Sequence, residues 1–183
     1  SDLHRQFAWE FSDEFKLSAN ALIFDDNIKV HDSDQEESAT ATYHDSYLWL
    51  RADQRPTDQL EGFTLLSYAN LRVRRNGTAD QPGVSTGVLN DRRSAEIVDV
   101  SSQWSLAVTG GHHLDFGGEF RHSSGRYFYA DEVTFDLLFD TPGAQTEESR
   151  ARNISLAPDG EYYAAFMNAH IELPGNWTTE LGL

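Results

Sequence analysis

The chain has 183 residues, with 30 acidic and 14 basic side chains and a net charge of −16. That balance argues against a nucleic-acid-binding surface, which needs cations for the phosphates, and against a peripheral protein held on anionic lipid by basic patches. The absence of cysteine excludes disulfides, thiolate sites and Cys-ligated zinc. An aromatic content of 12% argues against disorder. No run approaches the roughly 20 apolar residues of a membrane helix, but that leaves barrel strands open, since those need about 9–11 residues of which only alternate ones are apolar. The start does not read as a signal peptide, so the chain is expected to be mature or part of something longer.

In chain order, strands are predicted at 3–11 and 15–30 around the turn "SDE", then at 39–52 and 60–74 around "QRPTDQ". Further strands are predicted at 94–108 and 113–135 around "TGGHH", and at 161–173 and 177–183 around "LPGN". Gly, Pro, Asp and Asn mark each of these turns. Three longer polar stretches, 31–38, 75–93 and 139–160, read as loops, with one or two helical turns expected in 144–152. Several strands exceed the usual 5–6 residues. Alternation is clear in 94–108 (Val98, Val100, Trp104, Leu106, Val108) and in 60–74 (Phe63, Leu65, Ala69, Leu71, Val73). It recurs at 113–121, where Leu114, Phe116, Gly118 and Phe120 oppose Asp115, Glu119 and Arg121. At 161–173, Tyr163, Ala165, Met167, Ala169, Ile171 and Leu173 oppose Asn168, His170 and Glu172. The fold class is all-β: an antiparallel up-and-down meander of about eight long strands, one unit over 1–183. The first and last strands read as incomplete, which suggests a segment of a larger sheet.

Short and long connections alternate, so short turns lie at one edge of the meander and long loops at the other. Trp9, Trp49, Trp104 and Trp177 all fall near short turns. Tyr43, Tyr68, Tyr127, Tyr129, Tyr162 and Tyr163 lie toward the long loops. Tryptophan and tyrosine favour membrane–water interfaces. The four tryptophans are therefore expected to form a membrane-interface belt, with a looser tyrosine belt opposite; a soluble sheet with indoles capping one end of its core is the alternative.

"GGHHLDFGGEFRHSSGRYFY" together with "DGEYYAAFMNAHIELPGNWTTELGL" resembles the barrel of TonB-dependent outer-membrane receptors. "YLWLRADQ" with "LEGFTLLSYANLR" resembles another hairpin of that family. The resemblance implies about a third of the wall of a 22-stranded barrel, with re-closure as a small barrel the alternative for the isolated segment. It implies transport of a scarce small-molecule nutrient such as a ferric siderophore, cobalamin or a sugar. Outer-membrane lipid would be a partner, and TonB one only through parts of the receptor absent from this sequence. No stretch resembles the plug domain or TonB box.

Arg72, Arg74, Arg75, Arg92 and Arg93 flank the 75–93 stretch and, with the lumen-facing Arg121, are candidate ligand-binding residues. Guanidinium is suited to bidentate recognition of phosphate or carboxylate, so lipopolysaccharide phosphates or an anionic siderophore are the candidate ligands. Asp32, Asp34, Glu36 and Glu37 offer hard oxygens for Ca²⁺, but the spacing fails the EF-hand pattern and a solvated acidic loop is preferred. His112 and His113 point oppositely in a strand; His122 and His170 have no ligand spacing, so no metal site is expected. No triad, phosphate loop or cofactor motif is present, and no enzyme activity is expected. The alternative function is a soluble lipocalin-like or carbohydrate-binding β-domain.

Overall fold

The structure, a computed structural model, describes residues 2–32, 36–81, 83–136, 147–173 and 177–182. Nine strands form one antiparallel sheet: β1 (Asp2–Ser12), β2 (Phe15–Asp32), β3 (Glu37–Thr57), β4 (Leu60–Gln81), β5 (Ser85–Val108), β6 (His112–Asp136), β7 (Glu147–Leu156), β8 (Asp159–Leu173) and β9 (Trp177–Gly182). They run in the order β1-β2-β3-β4-β5-β6-β8-β9, and β7 pairs with the part of β6 beyond β8. The up-and-down meander expected from the sequence is present. The sheet is open: β1 pairs with β2 and β9 with β8, so neither a small re-closed barrel nor a two-layer sandwich forms among the described residues.

Three connections expected as long loops are largely strand. β4 and β5 pair from Leu60↔Leu106 to Gln81↔Ser85, so 75–93 is a hairpin arm rather than a loop. Asn76 and Gly77 look like turn formers in isolation. Here Gly77 has partners on both sides, Ala39 and Leu89, and satisfied backbone groups outweigh a weak strand preference. At 31–38 the strands reach Asp32 and resume at Glu37, with Glu36 turning the chain at φ 49°; Asp34 lies outside the described residues. In the third stretch Glu147–Leu156 is β7, which replaces the helical turns expected over 147–152; the rest of that expectation, 144–146, lies outside the described residues. These residues add an extended edge to β6, where the ladder supplies more hydrogen bonds than an isolated helical turn. Residues 137–146 lie outside the description.

Three short turns fall where expected, at Asp13–Glu14, Asp58–Gln59 and Thr109–Gly111. Gly110 (φ 91°) and Gly111 (φ 81°) take backbone conformations that a Cβ would disfavour. The fourth, at 174–176, lies outside the described residues.

Register decides which residues share a face. One continuous face carries Leu3, Phe7 and Trp9 of β1, Leu17 and Ile23 of β2, Leu48 and Leu50 of β3, and Leu66 and Tyr68 of β4. It continues through Val98, Val100, Trp104 and Leu106 of β5, Leu114, Phe116 and Phe120 of β6, and Tyr163, Ala165 and Met167 of β8. Val100 on this face is 38% exposed, whereas Asp99, on the other, is 8%, as expected where a sheet curves with its apolar side outward; the two faces are accordingly termed convex and concave. The opposite, concave face carries Asp91, Arg93, Asp99, Glu119 and Arg121. No apolar residue is buried among the described residues, as in a single layer without a second sheet against it.

The β4 alternation noted in the sequence lies on the other side from that of β5: Phe63, Leu65, Ala69, Leu71 and Val73 pair with Gln103, Ser101, Ile97, Ala95 and Arg93 on the concave face. β4 is apolar on both sides, so alternation along it does not select a face; pairing with β3 and β5 does. Two glycines lie under aromatic rings of the neighbouring strand. A Cβ on Gly62 would sit 2.6 Å from the Trp104 indole, and one on Gly117 would sit 2.6 Å from the Phe166 ring. These rings cover backbone that a side chain would otherwise shield.

Candidate functional site

The six arginines singled out from the sequence divide between the two faces. Arg75, Arg93 and Arg121 are concave; Arg72, Arg74 and Arg92 are convex. None lies in a loop. All are on strands, where each guanidinium is aimed by its place in the pleat.

The concave side is a ladder of carboxylates, guanidinium groups and rings. Asp91, 3% exposed, accepts two hydrogen bonds from Arg93, Nε to Oδ1 at 2.9 Å and Nη2 to Oδ2 at 2.7 Å. The Arg93 guanidinium also lies 5.1 Å from the Tyr127 ring centre. Its hydrogen bonds to Asp91 hold it protonated more firmly than an ordinary arginine. Asp99 accepts from Arg121 Nε at 3.1 Å, and Arg121 Nη2 reaches Glu119 at 2.7 Å. Toward the long-connection end, Arg152 donates to Asp131 at 3.1 and 2.9 Å and to the Tyr129 hydroxyl at 3.2 Å. The Arg152 hydrogen bonds hold the Asp131 carboxyl below the usual aspartate range. Arg93 and Arg121 are thus engaged by carboxylates of the chain itself; Arg75 stands opposite Asp91 in the strand register, but both Asp91 oxygens are taken by Arg93.

The convex side differs. Beyond Tyr68 and Val98 the face turns polar. Asn70, 7% exposed, donates to the Tyr68 hydroxyl at 3.1 Å and to Glu96 at 3.3 Å, and accepts from Arg72 Nε at 2.9 Å. Past that network lies an open groove of about 1210 Å³, lined by Arg72, Arg74, Arg92 and Arg126 with Glu96 and Asp159. Arg126 was missed in the sequence. Only the pairings Arg72↔Ser94 and Ser94↔Arg126 bring it into line. The parity separating Arg72 and Arg74 from Arg75 was legible, because i and i+2 share a face.

The tryptophans divide as well. Trp9 and Trp104 stand on the convex face toward the short turns. Trp49 stands on the concave face, its ring 6.5 Å from that of His4. The Trp177 side chain lies outside the described part. Of the tyrosines, Tyr68 and Tyr163 are convex, while Tyr43, Tyr127, Tyr129 and Tyr162 are concave. His113 and His170, on facing strands, stack at 4.6 Å between ring centres, a pair that sequence spacing did not show. Among the described residues no group of three or more metal-ligating side chains forms.

No family model and no curated protein matches the sequence. Among solved structures, the fold is similar to the ferric yersiniabactin uptake receptor FyuA from Yersinia pestis, with a TM-score of 0.57 and 13% identity. The match covers 99% of this chain and 27% of the receptor, so the chain spans about a quarter of that protein's length. A pore-forming protein also aligns over 92% of the chain, but at a TM-score of 0.15 and 7% identity the likeness carries no structural argument. At this identity the likeness to the receptor establishes the fold: an antiparallel β-meander of the kind found in a large barrel wall.

Proposed function

We propose that this chain is part of the wall of a TonB-dependent outer-membrane transporter for a scarce nutrient such as a ferric siderophore or cobalamin. One observation carries the reading: a continuous apolar face stands exposed on the convex side of a single sheet, and the charged ladder occupies the concave side. In water that arrangement leaves the hydrophobic face uncovered; in a bilayer it is satisfied by acyl chains. The dimensions agree. The ten steps from Val98 to Val108 rise roughly 33 Å, and a strand tilt of about 40° reduces this to about 25 Å, the height of the apolar band of outer-membrane barrels. The concave ladder would line the lumen, and the ends of the β4–β5 and β6–β7 arms would help capture the nutrient outside the cell. The likeness to an uptake receptor supports the same reading.

The chain has no cysteine, so single spin labels report cleanly. With the protein in phosphatidylcholine vesicles, labels at Val98→Cys and Val100→Cys should be reached by oxygen from the acyl region. Labels at Ser101→Cys and Gln103→Cys should be reached by a water-soluble nickel chelate. Equal access of the chelate to both sets would end the membrane reading. In the full receptor, removing residues 78–88 at the tip of the β4–β5 arm should reduce uptake; unchanged uptake removes the arm from ligand capture.

A further inference from the structure

Half of the 14 lysines and arginines are paired: among the described residues Lys16, Arg51, Arg55, Arg93, Arg121, Arg150 and Arg152 each make an ion pair with a carboxylate. Of the other seven, Arg5, Lys29 and Arg75 stand apart, whereas Arg72, Arg74, Arg92 and Arg126 meet in the convex groove. Arg74 and Arg92 are directly opposed across β4 and β5. Like charges in that position repel. One row nearer the apolar face, Arg72 and Arg126 flank Ser94. Glu96 and Asp159 line the same groove and offset two of the four positive charges, but neither lies within ion-pair distance of these arginines: Glu96 accepts from Asn70, and Asp159 lies against His122.

We propose that this cluster binds the phosphate groups of an anionic lipid headgroup in the outer leaflet. The inference rests on the membrane reading above. Arg72 stands four residues beyond Tyr68, where the apolar face ends, or about 10 Å further along the membrane normal at barrel tilt. That is headgroup height, and flexible arginine stems reach back toward the interface. Four guanidinium groups in one groove suit phosphate oxygens held in pairs, which a single ammonium does not match. The occupant is a lipid rather than a free anion because the groove continues from the apolar face; a soluble ligand in the lumen would meet the concave side.

The test uses the whole chain in vesicles of phosphatidylcholine containing bisphosphorylated lipid A, with bound lipid read by native mass spectrometry. The wild type should retain lipid A. Arg74→Gln with Arg92→Gln should weaken retention about tenfold or more, as expected for losing charge-assisted hydrogen bonds. Arg75→Gln, on the concave face, should leave it unchanged. Inorganic pyrophosphate, a soluble source of the same chemistry, should not displace the lipid. Full displacement by pyrophosphate, or equal loss in Arg75→Gln, overturns the proposal. So does a chain inserted with Val100 facing acyl chains that shows no preference for lipid A; that result leaves the membrane reading standing. A chain that does not enter the vesicles at all overturns both.

Discussion

Arg74 of β4 and Arg92 of β5 face each other directly across the ladder, on the face that Leu66 and Val100 share eight residues further along each strand. Opposed like charges on neighbouring strands cost about 0.2–1 kcal/mol. In a zwitterionic detergent, with no anionic headgroup present, Arg92→Gln should therefore raise unfolding stability by a few tenths of a kcal/mol. Added salt should stabilise the wild type more than the variant, because screening already relieves the repulsion. Denaturant titration at low and high ionic strength checks both; a variant less stable than wild type at low salt would remove the repulsion.

Asp91 is the least exposed charged residue described, and both its oxygens are taken by Arg93. Arg93 is half exposed and can resolvate, so truncation does not strand a buried cation. Asp91→Ala should cost about 1–2 kcal/mol, a charged hydrogen bond discounted for solvent access. Asp91→Asn should cost less, because it keeps the shape and one acceptor.

Gly62 has no room for a methyl group: a Cβ would meet the Gln103 carbonyl oxygen of β5 and stand 2.6 Å from the Trp104 ring. Gly62→Ala should destabilise the sheet by about 1–3 kcal/mol through displacement of both the β5 backbone and the indole. The double variant with Trp104→Leu should recover part of that loss. Tryptophan emission and chemical denaturation together distinguish this from a simple strand-propensity effect, which would favour alanine.

The pairing of Asp131 with Arg152 gives the β6–β7 arm a pH dependence of known sign. The Asp131 carboxyl titrates lower in the folded state than in the unfolded chain, while Arg152 stays charged throughout. Its contribution is thus fully present above the ordinary aspartate value of about 3.9 and disappears as pH falls through the lower folded value. Amides of Glu148–Ile154 should lose hydrogen-exchange protection on acidification before those of β4–β5 do. Asp131→Asn should flatten that difference.

Brominated acyl chains should quench Trp104 and leave Trp49 bright, since the two indoles stand on opposite faces. Trp104→Phe combined with Trp9→Phe should remove most of the quenching at the short-turn side, and Trp49→Phe should preserve it. Equal quenching of both would contradict the facing of the sheet.

The strand positions and the meander were legible because alternation and turn residues are local signals. β6 and β8 show it best: Leu114, Phe116 and Phe120, with Tyr163, Ala165 and Met167, read as one face from the sequence and form one face in the fold. The facing of β4 was not legible because Leu65 and Leu66 are adjacent and apolar, and only cross-strand pairing chooses between them. The hairpin arm at 75–93 was hidden because its Gly and Asn are turn formers whose local preference yields to neighbours far away in sequence. Trp49 was misplaced for a related reason. Its distance from a turn fixes its height in the wall, whereas its parity fixes inside or outside. Arg126 needed two successive pairings to reach Arg72, which no spacing rule encodes.

β6 has two successive partners along one edge: ten residue pairs with β7 toward the long-connection end, then twelve with β8 toward the short turns, with Ala157–Pro158 at the changeover. It works as a zip with two separate sliders. The upper slider can run open while the lower stays shut, because Gly125 N–H to the Pro158 carbonyl, at 2.8 Å, ties the seam to β6 and proline contributes no amide for a second bond. Gaps in the wall will therefore begin at β7, and labels on Ser149 and Glu132 should separate before labels on Ala165 and Gly118 as denaturant rises.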